Sequence, residues 1–221
     1  MNVRIFLSVR DRAACTLGCV ESLIETAPDA AIHIFDNGSE RDFPQLHLYY
    51  GRWLKAGEVA QVVFNRSAAM PHVYWSKNWA WAQFLALMDL LPEAEREYLV
   101  MVDNDTVFEK GWLDASLQVL NSPQARTHGV QVVSAYDGVP MYESLGVESF
   151  GARKADVRTK LVSRCWLARY EWWRSYDVPE CVPVIRDGAT DYCPTDWWYW
   201  THMAERGERF AVLAPALAHD P

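Results

Sequence analysis

Tyr98-Leu99-Val100-Met101-Val102-Asp103-Asn104-Asp105 carries the reading of this chain. The apolar run reads as a strand, and two carboxylates spaced i, i+2 follow at its end. Side chains alternate along extended backbone, so Asp103 and Asp105 can point to one side. Two acids in such a corner repel each other unless a cation sits between them. The pair suits Mg²⁺ or Mn²⁺, which takes oxygen ligands at roughly 2.1 Å and completes its sphere with water and substrate phosphates. A surface turn with a capping Asp is the plainer alternative. A calcium EF-hand is excluded, because Phe108 stands where that loop needs Gly and Asp114 stands at its twelfth position.

Working outward, short apolar runs alternate with helical patterns. Strands are expected near residues 3–9, at Ala31–Phe35, at 60–64 and at Tyr98–Val102, with helices at Ala13–Thr26, 43–55 and Trp75–Leu91 between them. This alternation is the signature of right-handed βαβ units on a mainly parallel sheet flanked by helices, whose ligands bind beyond the C-terminal strand ends. Two further strands end in acids, at Ser8-Val9-Arg10-Asp11 and at Asp36-Asn37-Gly38-Ser39, so three acidic strand ends are expected along one sheet edge. Asp11 is expected to cap the first helix, which Pro28 closes. Beyond residue 122 the pattern loosens into strands near Val130–Ser134 and Lys160–Trp166, a helix at Thr195–Arg206 stopped by Gly207, and a strand at Phe210–Leu213.

The chain has 221 residues, half of them hydrophobic, which fits one large domain. A formal charge of −8 argues against nucleic acid as a partner, since a phosphate backbone needs a basic face. No stretch approaches the roughly 20 apolar residues of a membrane span, and the N-terminus runs straight into a strand pattern with no signal-peptide features. Five cysteines without a CxxC pair fit neither a disulfide framework nor a zinc site, and the expected location is cytoplasmic. Cys15 and Cys19, four apart on a helix, read either as a metal or redox pair or as small buried thiols.

The ordered set Val3–Asp11, Cys19–Leu23, Phe35-Asp36-Asn37-Gly38-Ser39, Asn65, Lys77-Asn78, Asp103-Asn104-Asp105, Ser163–Leu167, Thr195-Asp196 and His219 resembles the glycosyltransferases of family 2. The resemblance covers nearly the whole chain. It implies a single GT-A (Rossmann-like) α/β domain, residues 1–105 binding a nucleotide sugar and 106–221 an acceptor. It implies transfer of a sugar from a UDP- or GDP-sugar donor, dependent on Mn²⁺ or Mg²⁺, to a glycan, lipid-linked sugar, protein or small molecule. By the same resemblance Ser8, Val9, Arg10, Asp36, Lys77, Asp103 and Asn104 would serve the donor. Asp105 would bind the metal, with Asp103 and His219 as further ligands. Asp196 would be the general base on the acceptor hydroxyl, with Asp191 a rival. Inverting chemistry follows from the family, and the missing QxxRW signature points to single rather than processive transfer. Thr195 replaces the family's usual Glu, and the chain stops two residues after His219.

Eleven tryptophans are many for this length. Flat aromatic faces suit the C–H faces of sugar rings as well as a core, and Trp197 and Trp198, beside Asp196, are the acceptor-site candidates. Val102–Val107 also resembles the nucleophile motif of haloacid-dehalogenase-type phosphatases, with Asp103 attacking phosphorus, Asp105 as acid/base, Ser134 after a later strand, and Asp187 and Asp191 as metal-binding acids. A third reading is a non-catalytic sugar-binding module.

Overall fold

The computed structural model describes residues 2–65, 73–137, 142–176, 183–186, 189–192 and 195–221. In chain order the elements are β1 (Val3–Val9), α1 (Ala13–Thr26), β2 (Ala31–Asp36), α2 (Phe43–Ala56), β3 (Gln61–Phe64), α3 (Val73–Asp89) and β4 (Tyr98–Asp103). Then come β5 (Val107–Phe108), α4 (Trp112–Asn121), α5 (Pro123–Thr127), β6 (Val130–Ser134), β7 (Ser144–Phe150), β8 (Arg153–Arg158), β9 (Cys165–Arg169) and α6 (Tyr170–Arg174). The chain finishes with β10 (Pro183–Arg186), β11 (Ala189–Tyr192), α7 (Thr195–Glu205), β12 (Arg209–Leu213) and β13 (Ala218–His219).

Nine strands form one sheet in the order β3-β2-β1-β4-β9-β6-β12-β8-β7. The first four run parallel, β9 is antiparallel to both β4 and β6, and β12 lies parallel to β6. Strand alternation builds two cores from this sheet. Ile5, Leu7 and Val9, with Ile32, Ile34, Val100 and Val102, face α1, α2 and α4, where Leu23, Trp53 and Trp112 are buried. Phe6, Phe35, Leu99 and Met101 point the other way, to Trp81 and Phe84 of α3, Trp173 of α6, and Tyr199 and Met203 of α7. Because both faces are covered, the central strands read as apolar runs rather than as an alternation with polar residues.

Trp81 anchors the second core. It is fully buried, its ring meets Phe6 edge-on at 5.1 Å and Trp173 at 4.7 Å, and its indole N–H donates to Tyr199 Oη at 3.2 Å. Trp81→Ala is expected to cost about 3–5 kcal/mol, read as a lowered urea midpoint, through cavity formation and an orphaned hydroxyl.

Two sequence expectations need correction, and two features of the fold have no counterpart in them. Residues 160–164 are not a strand but a loop ending in a turn, and β9 begins only at Cys165. Leu161 is buried by tertiary contact from a loop, which mimics a strand's apolar signal. The helix α4 and the hairpin β7–β8 went unread, the latter because β7 is a largely exposed edge strand. Asp11 does not cap α1: the amide of Ala13 donates to Asp42 Oδ2 at 3.0 Å instead. Among the described residues no helix is long and apolar enough to cross a membrane.

Candidate functional site

Parallel pairing brings the ends of β1, β2 and β4 to one edge, with Ser8 opposite Asp103 and Val9 opposite Asp36. A cleft of about 510 Å³ opens there, lined by Ser8, Arg10, Asp11, Arg12, Arg41, Lys77, Asp103, Asn104, Asp105, Val162, Ser163, Arg164 and Asp196. Such a volume suits a small-molecule site. Five of its side chains are cationic and four are carboxylates, so the cleft is locally richer in positive charge than the acidic chain as a whole.

Each acid of the β4 pair meets a cation. Lys77, buried on α3, donates to Asp103 Oδ1 at 2.5 Å, to Ser163 Oγ at 3.1 Å and to the Ser163 carbonyl at 3.3 Å, which uses all three ammonium protons. Asp105 Oδ2 accepts from Arg12 Nη1 at 2.7 Å, and Arg164 Nη2 lies 3.8 Å away. Arg164 is held from behind, since its Nη1 donates to Tyr136 Oη at 2.9 Å and to Asp220 Oδ1.

The loop between β1 and α1 has an unusual backbone. Asp11 and Arg12 both adopt the left-handed region, at φ 52° and 57°, which costs a residue with a side chain about 1–3 kcal/mol. Neighbouring groups hold it there. The Asp11 amide donates to Ser39 Oγ at 2.8 Å, and Asp11 Oδ1 accepts from the amides of Glu40 and Asp42. The Asn104 side-chain amide donates to the Asp11 carbonyl at 3.2 Å and to Thr16 Oγ1 at 2.8 Å. Asn104 therefore ties the loop to the acid pair.

Asp36 is buried at the end of β2, and its carboxylate accepts from the Ser39 amide at 2.7 Å and from Tyr50 Oη at 2.9 Å. It shapes the turn beneath the cleft without lining it. Gly38 in that turn has φ 79°, and a Cβ there would lie 3.3 Å from the Asn65 carbonyl. Val9 is likewise buried, its carbonyl bonded to the Asn37 amide at 2.8 Å.

Asp196, in the first turn of α7, lines the same cleft. Burial raises its carboxyl above the ordinary aspartate value, while the Lys77 charge and the Trp197 amide oppose that rise and the Asp103 charge adds to it. Trp197 is exposed, and Trp198 stacks on His202 at 4.1 Å and packs against the second core; neither lines the cleft. The side chains of Asp191 and Thr195, and residue Asp187, lie outside the described residues.

His219 and Asp220 point to opposite sides. His219 pairs with Val107 and sits 3.8 Å from Glu109, away from the acid pair, whereas Asp220 reaches Tyr136 and Arg164. Among the described residues no three His, Cys, Asp or Glu side chains converge as a metal cluster. Cys15, Cys19 and Cys165 are free thiols, and burial pushes the Cys19 thiol up, its Sγ lying 3.7 Å from the Asp103 carbonyl. Ser134, which the phosphatase reading needs in the site, is fully buried and bonded to the Tyr136 backbone.

Sequence reading thus found Ser8, Arg10, Lys77, Asp103, Asn104, Asp105 and Asp196, which the fold brings to one cleft. It missed Arg12 and Arg41, whose only sequence signal is adjacency to strand-end motifs, it assigned no role to Arg164 although that residue lies in the Ser163–Leu167 motif, and it missed Tyr136 and Asp220, which had no signal.

A large, mostly parallel sheet flanked by helices, with an acid pair at the end of a central strand, is the GT-A arrangement, and solved structures of that fold superpose on the chain. The mannosyltransferase PcManGT from Pyrobaculum calidifontis, in complex with GDP-Man and Mn²⁺, matches 96% of this chain and 56% of its own at TM-score 0.60 and 14% identity. GalNAc-T7 with UDP, GalNAc and Mn²⁺ matches 100% of this chain and 44% of its own at TM-score 0.66 and 10% identity. S. aureus TarS 1–349 in complex with UDP matches 96% of this chain and 58% of its own at TM-score 0.55 and 16% identity. The chain therefore spans about half the length of these structures. No protein-family model and no curated protein sequence matches it.

Proposed function

We propose that this chain is a glycosyltransferase that moves a sugar from a nucleoside-diphosphate donor to an acceptor hydroxyl. The observation that carries the proposal is the cleft itself, which brings an acid pair, several cations and a further carboxyl whose pKa burial raises into one lining. The neighbouring structures with GDP-Man or UDP support the same reading.

The donor set fits a divalent ion bound jointly with phosphate. Asp103 and Asp105 offer hard oxygens, no third protein ligand joins them among the described residues, and Mg²⁺-type ions accept one or two carboxylates plus phosphate and water. Such an ion on Asp105, assisted by Asp103, would supply Lewis-acid neutralisation of the diphosphate leaving group. The chain's own residues do the rest. Lys77 fixes the Asp103 carboxylate, leaving its second oxygen toward the cleft for a ribose hydroxyl or a metal-bound water. Arg10, Arg41 and Arg164 offer positive charge to phosphate. Asp196, ionised, accepts the acceptor proton as the hydroxyl attacks the anomeric carbon from the face opposite the diphosphate, a single inverting displacement.

Residues 1–105 form the donor half in this reading and 106–221 the acceptor half. Cys15, Cys19 and Cys165, the cysteines among the described residues, are free thiols, which fits the reducing setting expected from the sequence. A thermal-shift screen of UDP- and GDP-sugars with and without Mn²⁺ tests the proposal. A ligand at 100 times its Kd should stabilise by about 2.7 kcal/mol, visible as a rise in Tm only when metal is present. No shift with any nucleotide sugar would overturn it.

A further inference from the structure

Resting on the reading of this cleft as a diphosphate site, we infer that Arg12 is the resident counter-ion of Asp105, occupying that carboxylate until nucleotide diphosphate and metal arrive together, and then turning to the diphosphate. Three observations support it. Arg12 Nη1 lies 2.7 Å from Asp105 Oδ2, and no other side-chain partner of Arg12 is found among the described residues. Its side chain is 58% exposed, so little packing opposes a swing into the cleft that it lines. The backbone beneath it is left-handed and braced by Ser39, Glu40, Asp42 and Asn104, so it is the loop that aims Arg12 across the sheet edge at Asp105.

Arg164 cannot play this part. Its guanidinium is engaged by Tyr136 and Asp220 and lies over the Tyr136 ring at 5.1 Å, which makes it a fixed charge. Of the two arginines beside Asp105, Arg12 is therefore the one able to leave. A divalent ion alone meets a carboxylate already neutralised at one oxygen, with a second cation 3.8 Å away. A diphosphate changes the balance, because its negative charge draws Arg12 off and completes the metal's oxygen set. Metal and nucleotide then bind with positive coupling, and metal by itself binds weakly.

The variant that tests this is Arg12→Gly, since glycine adopts the left-handed conformation without strain and the fold is kept. Mn²⁺ alone is titrated by electron paramagnetic resonance, and UDP and GDP are titrated calorimetrically in a chelator. The expected results are Mn²⁺ binding tighter by about tenfold and chelator-phase nucleotide binding weaker by about tenfold, the size of effect for one unit charge a few ångströms away in a partly solvated cleft. Arg12→Lys, which keeps both charge and backbone strain, should leave Mn²⁺ affinity within about twofold of wild type. Unchanged or weaker Mn²⁺ binding in Arg12→Gly would overturn the inference, as would Arg12→Lys binding Mn²⁺ like the glycine variant, since a retained cation would then fail to hold metal off. Arg12→Gln, which drops the charge and keeps the left-handed strain, should bind Mn²⁺ like Arg12→Gly, and wild-type-like binding in it would trace the effect to loop relaxation and overturn the inference too. If wild type binds UDP or GDP with Mn²⁺ in those cases, the diphosphate reading survives. If wild type binds neither, that reading fails and takes this inference with it.

Discussion

Asp196→Asn is expected to lower sugar transfer by about 10²–10⁴-fold while nucleotide and metal affinities stay near wild type. The carboxylate lines the cleft from α7 and shares no hydrogen bond or ion pair with Lys77, Asp103 or Asp105 among the described residues, although the Lys77 and Asp103 charges act on it, so its removal is expected to touch proton transfer far more than donor binding. Its raised pKa gives the experiment a second readout. Transfer needs the ionised form, so the rate should fall on the acid side through a pKa above the 3.8 of an ordinary aspartate. Stability moves the opposite way. A carboxyl whose folded pKa exceeds its unfolded value contributes stability present below the unfolded pKa, and that contribution is lost as pH rises through the folded pKa. Ionised Asp196 thus weakens the fold at neutral pH, and Asp196→Asn should melt no lower than wild type at pH 7. Full transfer activity in this variant would move the role of base to Asp191, and intact glycan binding with no transfer in wild type would favour a binding module.

Asp105→Ala is expected to remove the Mn²⁺ dependence of nucleotide binding, with metal-supported affinity falling by more than about 100-fold, beyond the loss typical of a residue that only supports a ligand. Chelator-phase binding of UDP or GDP should survive or tighten, because Arg12 and Arg164 lose the carboxylate that they now face. The fold should tolerate the change: Arg164 keeps Tyr136 and Asp220, and Arg12 is largely exposed. Calorimetry of wild type and variant, with Mn²⁺ and with chelator, reads all of this. Unchanged metal-dependent affinity would sink the assignment of Asp105 as the metal carboxylate. The paired measurement also separates transferase from phosphatase, since a phosphatase would release phosphate from an aryl phosphate and lose that activity in Asp103→Asn.

Much of the acidic sheet edge is legible in the sequence. Ala31–Asp36 and Tyr98–Asp103 are apolar runs ended by acids, Val3–Val9 is followed two residues on by Asp11, and in a parallel α/β sheet such ends share one edge. Lys77 and Asp196 followed from family resemblance, and the fold brings both to the same cleft. The aromatic reading was weaker. Trp166, Trp172, Trp173 and Trp200 are core residues, and Trp198 spends its face on His202, because a helix packed on a sheet sends most of its large side chains inward. Strand Lys160–Trp166 was misplaced because buried loop residues carry the same apolar signal as a strand.

The sequence by itself determined the sheet class, the acidic edge and the pairing of two carboxylates at i, i+2, since these depend on local periodicity and on chain direction. Only the tertiary structure decided which charges those carboxylates meet. Arg12 reaches Asp105 across 93 residues of chain from a left-handed loop. Asp220 rather than His219 turns toward Arg164, because the pairing of β13 with β5 sends neighbouring side chains to opposite sides. Long cationic side chains take their partners from three-dimensional proximity, and no spacing along the chain encodes that.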